Sequence, residues 1–388
     1  MAGESFTPRR MIERLVGFDT VSAKSNLDLI DFVERYLAGH GVASRRSYDA
    51  GREKANLFAT LGPETAGGVV LSGHTDVVPV EGQPWDSDPF AVTERDGRLY
   101  GRGTADMKSF LAVALALVPE ALAAGLVKPL HLALSYDEEV GCFGAEVMIA
   151  DIKANLPPPA IVIIGEPTLM RLVNAHKGGA GFETRITGKE AHSSQPHRAA
   201  SAIAAAAELI GLIMAMAEEK RRDGPQAERF EPPYTTFNVG TIEGGSALNI
   251  VPRHAGFTWE FRTVPGDDGA AILARFNRFA EEDVLPRLRR TAPEAAIETE
   301  TLSWVPGLKP ETDSPAEDLV RFLTGSNRTE AVSYATEGGL FQKAGMSTVV
   351  CGPGSIDQAH RPNEFIEVAQ VEACTAFLRK LIAWAAHG

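Results

Sequence analysis

The chain has 388 residues, 44% apolar and 23% charged. That balance supports a large core without disulfides, spread over two or three domains, and excludes collagen-like, coiled-coil and disordered classes. Its 38 Lys and Arg against 51 Asp and Glu leave a net charge of −13, which argues against nucleic acid or an anionic membrane as partner, since both require a basic face. The three cysteines, Cys142, Cys351 and Cys374, are scattered and form no C-x-x-C pair, which suits a reducing, cytoplasmic compartment better than a disulfide framework. The opening stretch, MAGESFTPRRMIERLVGF, lacks the apolar h-region of a signal peptide.

In chain order, apolar residues at helical spacing predict helices over 11–18 and 26–40. Residues 55–62 (ANLFATLG) read as a strand ending in a turn, and 68–78 as a buried strand running into a polar tip. A helix over 109–124, a strand over 129–136 and a buried strand over 160–164 (AIVII) follow. Continuous apolar strands separated by helices predict an α/β sheet covered on both faces. The middle of the chain changes character. Residues 181–187 alternate like a half-exposed strand, 199–220 form a long helix, 234–242 and 256–264 read as strands, and 270–285 as a second helix. This β-α-β-β-α order resembles a ferredoxin-like small domain, with 221–226 as an exposed loop. The apolar stretches 110–127 and 199–217 are interrupted by Pro119 and Glu120 and by Glu208, so both read as buried helices rather than membrane spans. After Pro310, a helix over 315–324, a strand over 346–351 and a final helix over 368–386 return to the first pattern. The expected organisation is therefore a mixed-sheet α/β domain covered by helices, built from 1–177 and 289–388, with an α+β domain inserted at 178–288.

Polar residues follow the apolar part of several predicted strands: His74 after VVLSG, the 137–139 acids after LHLALSY, and Glu166 after IVIIG. Ligands of open α/β sheets bind at the carboxyl ends of strands, so these positions point to one site. With Asp106 and His360 they make two imidazoles and three carboxylates, a mixed N/O set that suits zinc, cobalt or manganese. If Asp106 bridges, one metal takes His74, Asp106 and Glu166, and the other takes Asp106, Glu139 and His360. Two metals about 3.5–4 Å apart can activate one water between them. Asp76 lies two residues beyond His74, on the same face of an extended chain, where it can orient the imidazole. Glu138, beside Glu139, is then free to act as general base. Taken singly, each segment is more often a solvated acidic turn or a hydrogen-bonded histidine; the reading rests on their convergence.

The ordered segments SGHTDVVP (72–79), GRGTADMK (101–108), DEEVG (137–141), GEPT (165–168) and QAHRPNE (358–364) resemble the co-catalytic zinc peptidase and deacylase family over nearly the whole chain. The resemblance implies metal roles for His74, Asp106, Glu139, Glu166 and His360, a general base at Glu138 and an acid at Asp76 beside the first ligand. It implies that His192, in GKEAHSS, stabilises the tetrahedral oxyanion, often from the partner subunit of a dimer. The inserted domain then corresponds to the family's lid and dimerisation domain. Within the family, YATEGGLFQKAG (334–345) and CGPGSIDQAHRPNEF (351–365) are most similar to the acetylornithine deacetylase branch, although Gly338 and Gly339 stand where an Ala-Pro pair is found in some members. The implied substrate is an N-acyl amino acid. Arg262 and Asn249 are implied for its α-carboxylate, and we assign Glu337 to the δ-ammonium of ornithine. Desuccinylation of succinyl-diaminopimelate, general N-acyl amino acid deacylation, or a metal-free binding protein of the same fold are the alternatives.

Overall fold

The computed structural model describes residues 4–387. The chain divides into two compact units, Met1–Ala175 with Leu308–Ala331 and Thr336–Gly388, and His176–Gly307 with Val332–Ala335.

The strands up to the end of the first long segment are β1 (Ser44–Tyr48), β2 (Ala55–Leu61), β3 (Val69–His74), β4 (Thr93–Arg95), β5 (Arg98–Tyr100), β6 (Leu130–Ser135), β7 (Ile161–Pro167) and β8 (Val173–His176). The second unit carries β9 (Gly178–Thr187), β10 (Thr236–Gly244), β11 (His254–Thr263) and β12 (Ala296–Val305). β13 (Glu330–Val332), β14 (Ser347–Gly352) and β15 (Phe365–Glu367) complete the set.

An eight-stranded sheet of order β1-β2-β6-β3-β7-β14-β8-β13 forms the centre of the first unit. β6, β3, β7 and β14 run parallel, while β1 and β2 add antiparallel at one edge. Every residue of β3, β6 and β7 is buried, as parallel strands covered on both faces require. The helix Lys108–Ala116 is buried along its whole length. Two glycines let it approach the sheet: a Cβ at Gly73 would overlap the Met107 side chain, and one at Gly165 would overlap the Phe110 ring. The predicted helix over 109–124 is in fact two, Lys108–Ala116 and Val118–Ala123, the second with Pro119 in its first turn, where a missing N–H is tolerated. The helix Phe143–Asn155 escaped the sequence reading because Val147, Met148 and Ile149 run consecutively and blur the helical period.

The second unit is a four-stranded antiparallel sheet, order β10-β11-β9-β12. With helices Ala202–Asp223 and Gly269–Phe279 it gives the β-α-β-β-α-β order of a ferredoxin-like fold. Alternate residues Phe182, Ile186, Phe257, Trp259 and Phe261 face one core with Leu209, Ile213, Ile272 and Phe276. The Trp259 ring lies 4.5 Å from both Phe182 and Phe276, and its indole N–H donates to Thr184 Oγ1 at 3.1 Å. Three expectations change here. The helix runs on through Asp223, so the exposed loop starts at Gly224. The second helix ends at Phe279 and passes through a wide turn, Ala280–Val284, before Leu285–Arg289. The return to the first unit comes at Leu308 rather than at residue 289, because β12 pairs along β9 from Ala296 to Val305.

Candidate active site

The parallel strands bring their carboxyl ends to one edge of the large sheet. His74 ends β3, residues 137–139 begin one residue beyond β6, Glu166 is the last residue but one of β7, and the loop holding His360 follows β14. Asp106 sits just ahead of the buried helix Lys108–Ala116. His74 Nε2 is 3.1 Å from Asp106 Oδ1 and 3.6 Å from Glu166 Oε1. His360 Nε2 is 3.5 Å from Asp106 Oδ2 and 3.0 Å from Glu139 Oε2. The two Asp106 oxygens thus face different imidazoles. Glu138 also offers an oxygen within 4.8 Å of ligand atoms of both His74 and Glu166.

Asp76 supports this arrangement. The His74 Nδ1 contacts the Asp76 carbonyl oxygen at 2.9 Å, which leaves Nε2 for the cluster. The Asp76 carboxylate accepts hydrogen bonds from the Glu138 N–H at 3.1 Å, the Glu139 N–H at 3.3 Å and the Ser22 hydroxyl at 2.7 Å. A buried acid two residues beyond His74 therefore fixes the turn that carries both glutamates. The Cys142 thiol lies 3.6 Å from Glu138 Oε1.

Burial pushes the carboxyls of Glu138 and Glu166 well above their ordinary range, and that of Glu139 up to about 7. Burial opposes the ionised forms of Asp106 and His74 as well, but the hydrogen bonds between them outweigh it: Asp106 is held low and His74 high. Hydrogen bonds to Asp106 and Glu139 raise His360 to about 10. Carboxylates this close demand compensating positive charge. Protons supply it in part, and divalent cations meet the same demand with the same donor atoms. The donor set, two imidazole nitrogens turned toward the largely buried carboxylates of Asp106, Glu139 and Glu166, fits such ions.

Glu337 differs from its expected setting. It is buried, and its carboxylate accepts from the hydroxyls of Ser72, at 3.1 Å, and Ser135. Both serines lie on adjacent strands, β3 and β6. Its side chain makes no cap to the helix Gly338–Lys343. Burial raises its carboxyl above the usual range.

His192, Asn249 and Arg262 belong to the second unit. His192 is exposed, with Nδ1 2.8 Å from the Ser194 hydroxyl. Its loop is joined to that of Asn249 by the Ser193 N–H donating to the Asn249 carbonyl at 3.0 Å. Arg262 stands apart on β11, paired with Glu260 at 2.9 Å and lying over Gly179.

Sequence reading missed a second group of residues. The Arg102 guanidinium, buried, donates to Glu364 Oε2 at 2.7 Å. Glu364 in turn accepts the backbone N–H groups of Gly103, Ala105 and Asp106 at 3.0, 2.8 and 3.1 Å. Both residues stand inside the quoted segments GRGTADMK and QAHRPNEF, but nothing local distinguishes a buried pair from two solvated charges.

The model of peptidase family M20/M25/M40 matches residues 70–384. The acetylornithine deacetylase of Myxococcus xanthus is 36% identical over 384 residues, 97% of this chain and 96% of its own. That of Pasteurella multocida is 34% identical over 380 residues, 96% of each. Among solved structures, an M20 family metallo-carboxypeptidase from Sulfolobus solfataricus superposes with a TM-score of 0.77 at 17% identity, covering 98% of this chain and 99% of that one. A dinuclear metal-binding M20 peptidase from Bacillus subtilis gives 0.63 at 15%, covering 97% and 98%. Among the described residues, no helix is long and apolar enough to cross a membrane. With the family match spanning most of its length and relatives above 30% identity matching nearly all of it, the chain belongs to peptidase family M20/M25/M40.

Proposed function

We propose that the chain is a metal-dependent amide hydrolase that removes the acetyl group from N2-acetyl-L-ornithine, giving L-ornithine and acetate in cytoplasmic arginine biosynthesis. The observation that carries the chemistry is the meeting of His74, Glu166, Glu139 and His360 around the two oxygens of Asp106. The near-full-length similarity to acetylornithine deacetylases supports the substrate. Two divalent cations, zinc as the first choice and cobalt or manganese as other fits, would be held by His74, Asp106 and Glu166 and by Asp106, Glu139 and His360. When bound, such ions polarise an amide carbonyl and lower the pKa of water toward about 7.

The chain's own residues carry the proton. Glu138 accepts one from water as its oxygen bonds to the acetyl carbon, and a tetrahedral oxyanion forms. An N–H of His192 donates to that oxyanion, a contribution of about 3–4 kcal/mol per donor. The C–N bond then breaks, and Glu138 delivers the proton to the departing amine. One water is consumed for each acetate and ornithine released. Arg262 and Asn249 take the α-carboxylate, Arg262 by exchanging Glu260 for the substrate's two oxygens. In this reading the second unit is a lid and dimerisation domain of a homodimer; the exposed edge strand β10, with Ile242 in solvent, supports such pairing.

One observation favours a second reading, deacylation of a different N-acyl amino acid. The two Glu337 oxygens are taken by Ser72 and Ser135, so the residue assigned to the ornithine ammonium already has donors. Metal analysis together with kcat/KM for acetylornithine, acetyl-leucine and succinyl-diaminopimelate tests both. Preference for acetylornithine supports the first reading. Equal rates on acetyl-leucine support the second, and absence of bound metal in active enzyme refutes both.

A further inference from the structure

We infer that Gln83, Asp86 and Asn363 are positioning residues that hold His360 in place, and so set the occupancy of the cation site built on Glu139 and His360 separately from the site built on His74 and Glu166. The inference rests on the two-cation reading above and goes beyond it by assigning residues outside the ligand set.

His74 and Glu166 are held by the sheet, and Glu139 by the turn that Asp76 binds. His360 has no such support. It lies beyond a single turn, Ile356–Gln358, its side chain is 58% exposed, and its φ is 62°. Asn363 also has positive φ, 57°. A non-glycine residue in this left-handed region costs roughly 1–2 kcal/mol, so the loop keeps this shape only where contacts impose it.

Those contacts come from the loop 79–90. Gln83 Nε2 donates to the His360 carbonyl at 3.1 Å. The Asp86 N–H donates to Asn363 Oδ1 at 2.9 Å, and Asn363 Nδ2 donates to Asp86 Oδ2 at 3.1 Å. Arg102 joins the set from below, donating to Gln83 Oε1 at 2.6 Å and to the Arg361 carbonyl at 3.3 Å. Arg102 and Glu364 cannot separate the two cation sites, because Glu364 also binds the backbone of Asp106, which serves both. Asp86 and Asn363 touch only the His360 side. Asp86 is exposed and Asn363 half-buried, so changes there leave the core intact.

The test is a residue swap. Asn363→Asp sets two carboxylates against each other. Adding Asp86→Asn restores the side-chain hydrogen bond with donor and acceptor exchanged, while the bond from the backbone N–H of residue 86 is kept throughout. Metal-free protein is titrated with Zn2+ by calorimetry, and its thermal midpoint is recorded as a fold control. We expect wild type to bind two ions. Asn363→Asp should keep one affinity and weaken the other about 10–100-fold, the usual cost of losing an outer support of a ligand. The double variant should recover the wild-type value, with midpoints unchanged throughout. Equal weakening of both ions, no weakening, or failure of the swap to rescue would overturn the inference. Wild-type protein that takes up fewer than two ions would instead refute the two-cation reading itself.

Discussion

Asp76→Asn should separate orientation of the catalytic turn from ligation. The carboxylate accepts three hydrogen bonds, with the N–H groups of Glu138 and Glu139 and the hydroxyl of Ser22. An amide of the same shape keeps one oxygen and turns an NH2 toward the other partners. If the NH2 takes the Oδ1 place it meets the Glu138 N–H. If it takes the Oδ2 place it meets the Glu139 N–H, while Ser22 can reverse and accept. Either way one backbone donor loses its acceptor, at a cost of about 1–3 kcal/mol, the lower half being expected because these N–H groups are only part-buried. For a unit of this size, each kcal/mol corresponds to about 2–4 °C in midpoint. Because the turn carries Glu138 and Glu139, the same change should lower kcat about 10–100-fold. The assay pairs thermal unfolding of metal-free Asp76→Asn with kcat at saturating metal. Ser22→Ala, which removes one donor and leaves both N–H contacts, is the control and should cost only about 1 kcal/mol. If Asp76→Asn unfolds like wild type and keeps its kcat, Asp76 does not orient the turn and the reasoning fails.

Other outcomes follow from the same geometry. Glu138→Gln should lower kcat by about 10²–10⁴ while keeping the wild-type metal content; a loss of metal would instead make Glu138 a ligand. Chelation should abolish turnover and lower the thermal midpoint, because ions that bind only the folded state stabilise it; an active, equally stable chelated protein would remove the metal reading. Burial lowers His131 from 6.5 to about 4, so between these values the unfolded chain binds the extra proton and the folded one does not. Its contribution is complete above pH 6.5 and is lost as pH falls toward 4, about 3 kcal/mol in all. Urea titrations of wild type and His131→Asn should converge across that window, and parallel curves would contradict it. Phe182→Ala, which removes the ring stacked on Trp259, should destabilise the second unit by about 3–5 kcal/mol, read as a lower urea midpoint; a change under 1 kcal/mol would show that this core collapses around the gap.

Much of the candidate site was legible because its parts are local. VVLSG, LHLALSY and IVIIG announce buried strands by unbroken apolar runs, and the residues just after them stand at the sheet's carboxyl edge by the logic of parallel strands. That pointed His74, Glu139 and Glu166 to one site without a structure; donor chemistry joined Asp106 and His360 to them, and the segment resemblance implied the same roles for all five. The fourth strand of the second unit was less visible. Its sequence AIETETLSWV alternates β-branched and charged residues, but both faces are partly exposed and the apolar signal is weak.

What the amino-acid order determined by itself was the buried strands and the histidine and acids that stand at or just beyond their ends, since burial of a continuous apolar run depends on that run alone. What only the tertiary structure decided was the partner of each buried charge. Glu364 is a solvated acid or the anchor of Asp106 according to whether Arg102, 262 residues away in sequence, lies beside it. The sequence segment offers Glu337 to the substrate ammonium, and only the pairing of β3 with β6 shows the hydroxyls of Ser72 and Ser135 at its oxygens. A charge taken out of water must be met by a partner, and the fold alone chooses which distant residue meets it.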